Sequence, residues 1–234
     1  MDLANGHRLL AENGWLAAMP DAFRDAMLRL CELQEFNAGD TVYLAGDPPG
    51  GIYGICDGAL GMTSAFGSAM SPIAHVGQPG AWTGLGPLLT GQPRRATIQA
   101  MTPLLLAHVP LRPLQRLLRE NPHWWLHIAQ GLLMEFDTVT GVANDLLIRS
   151  ATRRCAAILL RVANCRRQDP ASSRPVVAPI SQATLAEMTN LSRSAVSPIL
   201  SQFSCQGLTR LEYRAITLLD VPGLRAIADD DRSD

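Results

Sequence analysis

The sequence predicts an α+β protein with two parts, a β-rich first part and a mainly helical second part, joined by one long helix. Short apolar runs separated by glycine fill residues 36–109, and an unbroken helical periodicity covers roughly residues 122–148. Two short helical patterns and an alternating run then follow near the end of the chain. A chain of 234 residues is long enough for each part to bury its own core.

Composition and the cysteines narrow the class of protein. Hydrophobic residues make up 47% of the chain and charged residues 18%, as in a folded soluble protein. No apolar run reaches the length of about 18 residues that a membrane span needs, and the first residues lack the order of a signal peptide. We therefore expect a cytoplasmic protein. The five cysteines are scattered without a C-x-x-C pair, which favours reduced thiols over disulfides, a metal site or an iron–sulfur centre.

Charge is distributed unevenly along the chain. Residues 1–148 carry 8 Arg against 13 Asp and Glu, whereas residues 149–228 carry 11 Arg against 4 Asp and Glu. The last six residues, DDDRSD, are acidic, and we expect them to be disordered. A basic domain attached to an acidic one is typical of a nucleic-acid binder with a separate sensing module, although a basic surface without a ligand would have the same composition.

The remaining elements follow in order. The pattern of the first 35 residues predicts short helices. Short strands of an all-β sandwich or barrel are predicted from the apolar runs TVYLA, IYGIC, IAHV, ATIQA and LLLAHV. LRPLQRLLREN predicts a short helix that ends at Asn121-Pro122. After the long helix, Ser150 is placed to cap a helix over ATRRCAAILLRVANC, and a short strand follows a polar turn.

The long helix carries an apolar seam whose members advance by 4, 4, 3, 4 and 3 residues: Ile128, Leu132, Phe136, Val139, Ala143 and Leu146. This spacing is close to the 3.5-residue repeat of a coiled coil. We predict that the seam is a dimer interface, while a single long core helix would be the alternative.

Two helices joined by a tight turn are predicted from SQATLAEMTN and LSRSAVSPILSQFSCQ, with Ser181 and Ser192 as their N-caps. LTRLEYRAITLLD then predicts a β-hairpin that turns near Tyr213 and Arg214. This order is that of a winged helix-turn-helix. The candidate DNA contacts are Gln182, Ser192, Arg193, Ser194, Ser197, Arg210 and Arg214. Among them, an arginine near the start of the second helix suits guanine in the major groove, and the hairpin arginines suit phosphates.

Pro198 interrupts the second helix of this motif. A proline inside a helix removes a hydrogen bond and collides with the preceding turn, at a cost of roughly 3 kcal/mol. Two structures stay open. One is a single helix from Arg193 that bends near Ser194, and the other is a loop with the helix beginning at Pro198. The spacing of Val196 with the later apolar residues favours the first.

The chain resembles the catabolite-activator/FNR (Crp/Fnr) family of bacterial transcription regulators over nearly its full length. The resemblance rests on FNAGDTVYLAGDPPGGIYGICDGAL, GQPGAWTGLGPLLTGQPRRATIQA, the long helix and ISQATLAEMTNLSRSAVSPILSQFSCQGL. It implies a cyclic-nucleotide-binding-type β-roll with a long dimerisation helix, plus a C-terminal winged helix-turn-helix domain. The implied boundaries are 1–149 for the sensor domain with its helix at about 122–148, 150–228 for the DNA-binding domain, and 229–234 for the tail.

The resemblance also implies a function. The chain would act as a homodimer on a two-fold-symmetric site in double-stranded DNA, with an unknown small-molecule effector and RNA polymerase as a further candidate partner. Three alternatives stay open: a cyclic-nucleotide-responsive regulator, a member that needs no effector, and a signalling adaptor whose winged domain binds protein. No nucleophile elbow, phosphate loop or carboxylate pair suggests an enzyme.

The sensor differs from relatives that bind cyclic AMP. Those carry Gly-Glu-Leu and Arg-Ser, whereas the matching positions here are Gly84-Leu85-Gly86 and Arg94-Arg95. Leu85 cannot accept a ribose hydrogen bond, which costs about 1–3 kcal/mol. We therefore expect no cyclic AMP and no cofactor, with an apolar or filled pocket. The candidate pocket residues are Trp82, Thr83, Gly84, Leu85, Arg94, Arg95, Val139 and Thr140, of which the last two replace a Thr-Ser pair that touches adenine.

His123 and His127 are four residues apart on a predicted helix, as in some metal sites. Trp124 occupies the place of the glutamate in H-E-x-x-H, and no third ligand is in view. We expect surface or interface histidines here and no metal.

Overall fold

The structure, a computed structural model, describes residues 3–64, 73–167 and 176–230. Its fold is the α+β arrangement that the sequence predicts, with antiparallel sheets followed by a winged helical domain. None of the described helices is both long and apolar enough to cross a bilayer.

The first part of the chain combines two four-stranded sheets with five helices. Their bounds are α1 (Leu3–Glu12), α2 (Gly14–Ala17), α3 (Asp21–Arg29), β1 (Glu32–Phe36), β2 (Thr41–Tyr43), β3 (Gly51–Asp57), β4 (Leu60–Ser64), β5 (Ile73–Gly77), β6 (Trp82–Thr83), α4 (Leu85–Thr90), β7 (Ala96–Ala100), β8 (Leu104–Pro110) and α5 (Leu111–Glu120). One sheet has the order β1-β8-β3-β6 and the other β2-β7-β4-β5. The strand β1 begins at Glu32, inside the segment that the sequence assigned to helices.

Among the described residues of this part, two hydrophobic clusters form the core. Tyr43, Ile55, Ile98 and Leu106 belong to the cluster of the strands. The other cluster lies under the helices, where Trp15 meets Phe23 and Trp82 edge-on with ring centroids 5.8 and 5.5 Å apart. Six consecutive residues of β3 are buried, because this strand lies between two neighbours and has apolar contacts on both faces.

The second part of the chain is helical with one small sheet. A 3-10 turn (Pro122–Trp124) leads into α6 (Trp125–Leu146). The following elements are α7 (Ala151–Val162), β9 (Val176–Ala178), α8 (Gln182–Met188), α9 (Arg193–Cys205), β10 (Thr209–Glu212), β11 (Ala215–Leu218) and α10 (Val221–Ala228). The sheet has the order β10-β11-β9. As predicted, Ser150 caps α7 by accepting a hydrogen bond from the Arg153 amide at 3.4 Å.

By its internal contacts the chain forms two compact units, Met1–Ser71 with Val76–Thr138, and Pro72–His75 with Val139–Asp234. The boundary between them falls inside α6, whereas the predicted domain boundary follows residue 149. Of the tail that the sequence analysis expected to be disordered, residues 231–234 lie outside the described residues. Asp229 is described, and its carboxylate pairs with Arg166 at 2.8 Å.

Candidate nucleic-acid interface and sensor pocket

The helix-turn-helix is formed by α8 and α9, and both helices start at serine caps. Ser181 accepts a hydrogen bond from the Thr184 amide at 3.0 Å, and Ser192 accepts one from the Ala195 amide at 3.2 Å. These bonds satisfy amides that the first turn of a helix leaves without partners.

The turn between the two helices is held by local bonds and by α7. Asn190 adopts the left-handed conformation with φ 53°, a conformation that asparagine tolerates better than most residues. The Leu191 amide bonds to the Ala186 carbonyl at 2.9 Å, and the Thr189 hydroxyl donates to the Leu185 carbonyl at 2.7 Å. The Arg154 guanidinium donates to the Thr189 carbonyl at 2.8 Å. This contribution of Arg154 was not predictable, because nothing in the local sequence pattern connects α7 to the turn.

The helix α9 presents one face to the core and the opposite face to solvent. Val196, Leu200 and Phe203 are completely buried, and Ile199 is half-buried. The residues on the solvent face are exposed and uncharged: Ser194, Ser197, Pro198, Ser201, Gln202 and Cys205. Arg193 is the charged residue of α9, and it lies exposed at the N-terminus, where the helix dipole adds to its positive field.

Pro198 lies inside one helix, Arg193–Cys205, which confirms a helix that begins at Arg193 and not at Pro198. The bend near Ser194 stays a prediction. The nitrogen of Pro198 carries no hydrogen, so it cannot donate a hydrogen bond to the Ser194 carbonyl four residues earlier. Because this carbonyl belongs to the first turn and Pro198 is exposed, water can reach the group that loses its partner. The helix therefore tolerates the proline.

The hairpin β10–β11 turns at Tyr213 and Arg214, as predicted, with Arg214 at φ 56°. Tyr213 is 90% exposed at the tip, and the Arg214 guanidinium lies 5.7 Å from the centre of its ring. Arg210 is also exposed, and its Nε lies 2.8 Å from a carboxylate oxygen of Glu212. An exposed pair of this kind contributes only about 0.2–1 kcal/mol, so a phosphate can compete for Arg210.

In the first unit, Arg94 is a buried cation whose hydrogen bonds are incomplete. Only 4% of its surface is exposed. Its Nη2 donates to the Gly51 carbonyl at 2.8 Å, and its guanidinium carbon lies 4.2 Å from the centre of the Tyr43 ring. Nε and Nη1 are buried without a hydrogen-bond partner within the described residues. An anion would complete this arrangement, because guanidinium donors form their strongest bonds with carboxylates and phosphates.

Glu135, on α6, is a further polar group of this region that the sequence analysis missed. Its Oε1 is buried and has no partner in the part of the chain that the structure describes. Burial raises the pKa of the Glu135 carboxyl to about 7. Burial raises the pKa of Tyr43, and among the smaller effects the charge of Arg94 lowers it and that of Glu135 raises it. The sequence signal that could have identified Glu135 is its position as the one carboxylate in the apolar stretch LLMEF.

The other predicted pocket residues have several different environments. Thr83 donates to or accepts from the Tyr43 hydroxyl at 2.8 Å, and Trp82 is buried with an unpartnered Nε1 among the described residues. Gly84 has φ 96°, and a side chain there would clash with the Arg94 guanidinium. Arg95, Val139 and Thr140 are exposed.

Leu85, which the sequence predicts to line the effector pocket, packs in the hydrophobic core. The residue is completely buried as the first residue of α4 and belongs to the hydrophobic cluster under the helices. A side chain at Gly131 on α6 would meet Leu85 at 2.8 Å, so the two elements are in close contact. Leu85 therefore contributes to packing between α4 and α6.

The predicted dimer seam on α6 also needs a correction at Ile128. Ile128 is completely buried and Leu132 is half-buried against the same cluster, so this part of the seam contacts its own chain. A second row of exposed positions on α6, apolar except for one threonine, advances by 3, 4, 3, 4 and 3 residues: Leu126, Ala129, Leu133, Phe136, Thr140 and Ala143. Phe136 and Ala143 are common to both seams. Val139 and Leu146 border the exposed face, 53% and 40% exposed.

The paired histidines have different surroundings. His127 bonds to the side chain of Gln130 at 3.2 Å, and its ring is tilted against that of Phe23 with the centroids 5.0 Å apart. His123 is exposed beside Trp124. No group of three His, Cys, Asp or Glu side chains suited to a metal ion occurs among the described residues.

Comparisons with known proteins agree with this architecture. The family model for the cyclic nucleotide-binding domain matches residues 33–121, and the model for the Crp-like helix-turn-helix domain matches residues 153–227. The transcriptional regulator SdrP of Thermus thermophilus is 25% identical over 205 residues, which cover 87% of this chain and 97% of SdrP. The HTH-type transcriptional regulator Cmr of Mycobacterium tuberculosis is 26% identical over 208 residues, covering 87% of this chain and 79% of Cmr.

A solved structure shows the same fold. The crystal structure of a CRP-family transcriptional regulator from Thermus thermophilus matches with a TM-score of 0.65 and 22% identity, covering 83% of this chain and 96% of that one. Fold, helix-turn-helix and relatives define a transcription regulator with a DNA-binding helix-turn-helix domain, which implies a non-enzymatic role. The chain belongs to the Crp/Fnr family.

Proposed function

We propose that the protein is a homodimeric regulator that reads a two-fold-symmetric DNA site, and that its sensor domain responds to a ligand other than cyclic AMP. The observation that carries the DNA-binding part is α9. Its apolar face is buried, while its capped N-terminus presents Arg193 and three exposed serines to solvent. An exposed helix of this kind fits the major groove.

The predicted DNA contacts divide into two kinds. Arg193 has the reach and the fork geometry to read a guanine. Ser192, Ser194 and Ser197 are short polar residues near it in sequence at the start of α9, and Gln182 is exposed at the start of α8. Arg210 and Arg214 on the hairpin are suited to phosphates, whose contacts position the protein without specifying sequence. With one charged residue on α9, we expect most of the electrostatic affinity to come from the hairpin and the rest of the basic domain.

Dimerisation through α6 is supported by its exposed apolar face. Leu126, Leu133 and Phe136 are 64%, 59% and 63% exposed in the single chain. Three large apolar side chains on one helix face are costly to leave in water, and the 3-4 spacing matches a helix of a second copy.

The proposal that cyclic AMP is not the effector is supported by Leu85 and Arg95. Leu85 lies in the hydrophobic cluster, so no carboxylate is available at that position for a ribose hydroxyl. Arg95 is exposed. Arg94 and its unpartnered donors still suit an anionic effector.

DNA fragments from the chain's own upstream region test the proposed function. We expect saturable binding in fluorescence anisotropy at low salt, with an affinity that falls steeply as salt increases, because phosphate contacts release counterions. No binding to any such fragment would contradict the proposal. Binding to protein partners with a shallow salt dependence would instead favour the adaptor function.

A thermal-shift titration with cyclic AMP tests the effector. We expect no saturable rise of Tm, since a ligand stabilises the native state only if it binds that state. A large, saturable rise would show that the cyclic-nucleotide-responsive alternative is correct.

A further inference from the structure

The second unit contains a cavity of about 490 Å³. Its walls come from the last turns of α6, the connection to α7, α7 itself, the residues that follow α7 and the end of α10. Arg94 and the sensor residues around it are not among its lining residues. The volume lies within the range of about 300–1,000 Å³ that is typical of small-molecule sites.

The lining of this cavity is strongly basic. Arg153, Arg161, Arg166 and Arg167 contribute four positive charges, while Asp145 and Asp229 contribute two negative charges, so the formal net charge of the lining is +2. The apolar lining residues are Gly141, Ile148 and Ala228. Affinity for a ligand here would therefore come from charge.

Ion pairs fix two of the arginines in place. Asp145 is 4% exposed and lies 2.6 Å from Arg161 and 3.3 Å from Arg166. Arg166 also pairs with Asp229 at 2.8 Å. Asp145 and Asp229 formally balance Arg161 and Arg166 and hold their guanidinium groups in place, so a ligand would lose little entropy in ordering them.

The backbone around the cavity is adapted to the arginines. A side chain at Gly141 would collide with the guanidinium of Arg161, so glycine is needed for this close approach. Arg153 is buried, with 6% of its surface exposed, and its Nε donates to the Ala228 carbonyl at 3.5 Å. Arg167 is exposed at the rim, where it is placed to meet an incoming ligand.

We propose that this cavity is a binding site for a small phosphate-bearing anion of nucleotide size. Guanidinium groups bind phosphate oxygens through pairs of parallel hydrogen bonds, and two or more phosphates would offset the net charge of the lining. The site is distinct from the anion-binding donors of Arg94, and its test does not depend on DNA binding.

Isothermal titration calorimetry of the full chain with sodium pyrophosphate and with magnesium-free ATP tests the proposal. We expect saturable binding with one site per chain. Arg167→Gln should weaken the affinity on the order of tenfold, since it removes a charged hydrogen-bond donor at the rim. Asp229→Asn should strengthen it several-fold, because it removes a negative charge and releases Arg166.

Arg119→Gln is the matched control, because Arg119 is an exposed arginine in the last turn of α5 in the other unit. Its affinity should equal that of the wild type, and circular dichroism should show that all three variants are folded. The proposal is overturned if neither probe binds saturably at millimolar concentration. It is also overturned if Arg167→Gln and Asp229→Asn leave the affinity unchanged, or if Arg119→Gln weakens it as much as Arg167→Gln.

Discussion

Glu135 makes the free energy of unfolding depend on pH. The native carboxyl has a pKa of about 7 because of burial, while the ordinary value is 4.5. Between these two values the native state keeps a proton that the unfolded chain releases. The contribution of Glu135 to the free energy of unfolding is therefore largest below about pH 4.5 and falls as the pH rises to about 7.

Glu135→Gln should remove this dependence and stabilise the protein at pH 8 by on the order of 2 kcal/mol relative to the wild type. Urea unfolding at pH 5, 6, 7 and 8 measures it. His75 affects the free energy of unfolding in the opposite direction, because burial lowers its pKa to about 4. The quantity to compare at each pH is therefore the difference in the free energy of unfolding between Glu135→Gln and the wild type. Glu120→Gln on α5 serves as the exposed control. Parallel pH profiles for wild type and Glu135→Gln would contradict the account.

Some residues of the candidate sensor site could be predicted from the sequence and others could not. Arg94 was identifiable because a family motif fixes its position, and it is buried with two unpartnered donors among the described residues. Leu85 stands in the same motif, yet its side chain packs in the core. The direction of a side chain at the start of a short helix depends on tertiary packing, which a motif does not encode. Glu135 was missed because the groups around it come from distant parts of the chain.

At the scale of secondary-structure elements, the helix α9 contains a proline, Pro198, that it does not need in order to form. Pro198→Ala would restore the amide that donates to the Ser194 carbonyl and remove the ring from the preceding turn. We expect a gain of about 1–3 kcal/mol in the free energy of unfolding, measured by urea denaturation. Ser197→Ala, the neighbouring exposed position, should change it by less than about 0.5 kcal/mol. A loss of stability in Pro198→Ala would mean that the proline supports the helix.

The helix α6 has two apolar faces with different tasks. Phe136→Glu places a charge on the exposed face and should convert a dimer into a monomer at micromolar concentration, as measured by sedimentation velocity. Gln130→Glu, also exposed on α6, should remain dimeric. A dimer that survives Phe136→Glu would place the interface elsewhere.

Ile128→Ala addresses the inner face of the same helix. It should lower the free energy of unfolding by about 2–5 kcal/mol, because it leaves a cavity in a completely buried cluster. The association of the folded protein should be unchanged. If Ile128→Ala weakened association without affecting stability, the original seam would be correct.

These two faces explain the partial success of the sequence analysis for α6. Its length and position were predictable, because the helical period continues over the whole 22-residue helix. Both faces of its first half carry apolar residues, so periodicity alone could not decide which one packs against the sheets. The exposed face is recognisable only once Ile128 and Leu132 are seen in contact with the core.

For the whole molecule, the order of elements was predictable from the sequence. Glycine-punctuated strands, a long helix and two serine-capped helices before a hairpin leave few alternatives for the fold. The features that came only from the structure are long-range, such as the Arg154 bond to the turn and the arginine-lined cavity. Both bring together residues that are far apart in the chain.

The central claim is that a dimer of this protein reads two half-sites in DNA through α9. A DNase footprint on the fragment that binds most tightly, with wild type and Arg193→Ala side by side, tests it most directly. The account predicts two protected half-sites in two-fold symmetry, with centres one helical turn or about 34 Å apart, and their loss in Arg193→Ala at the same concentration. A single protected half-site, or an identical footprint for Arg193→Ala, would contradict it.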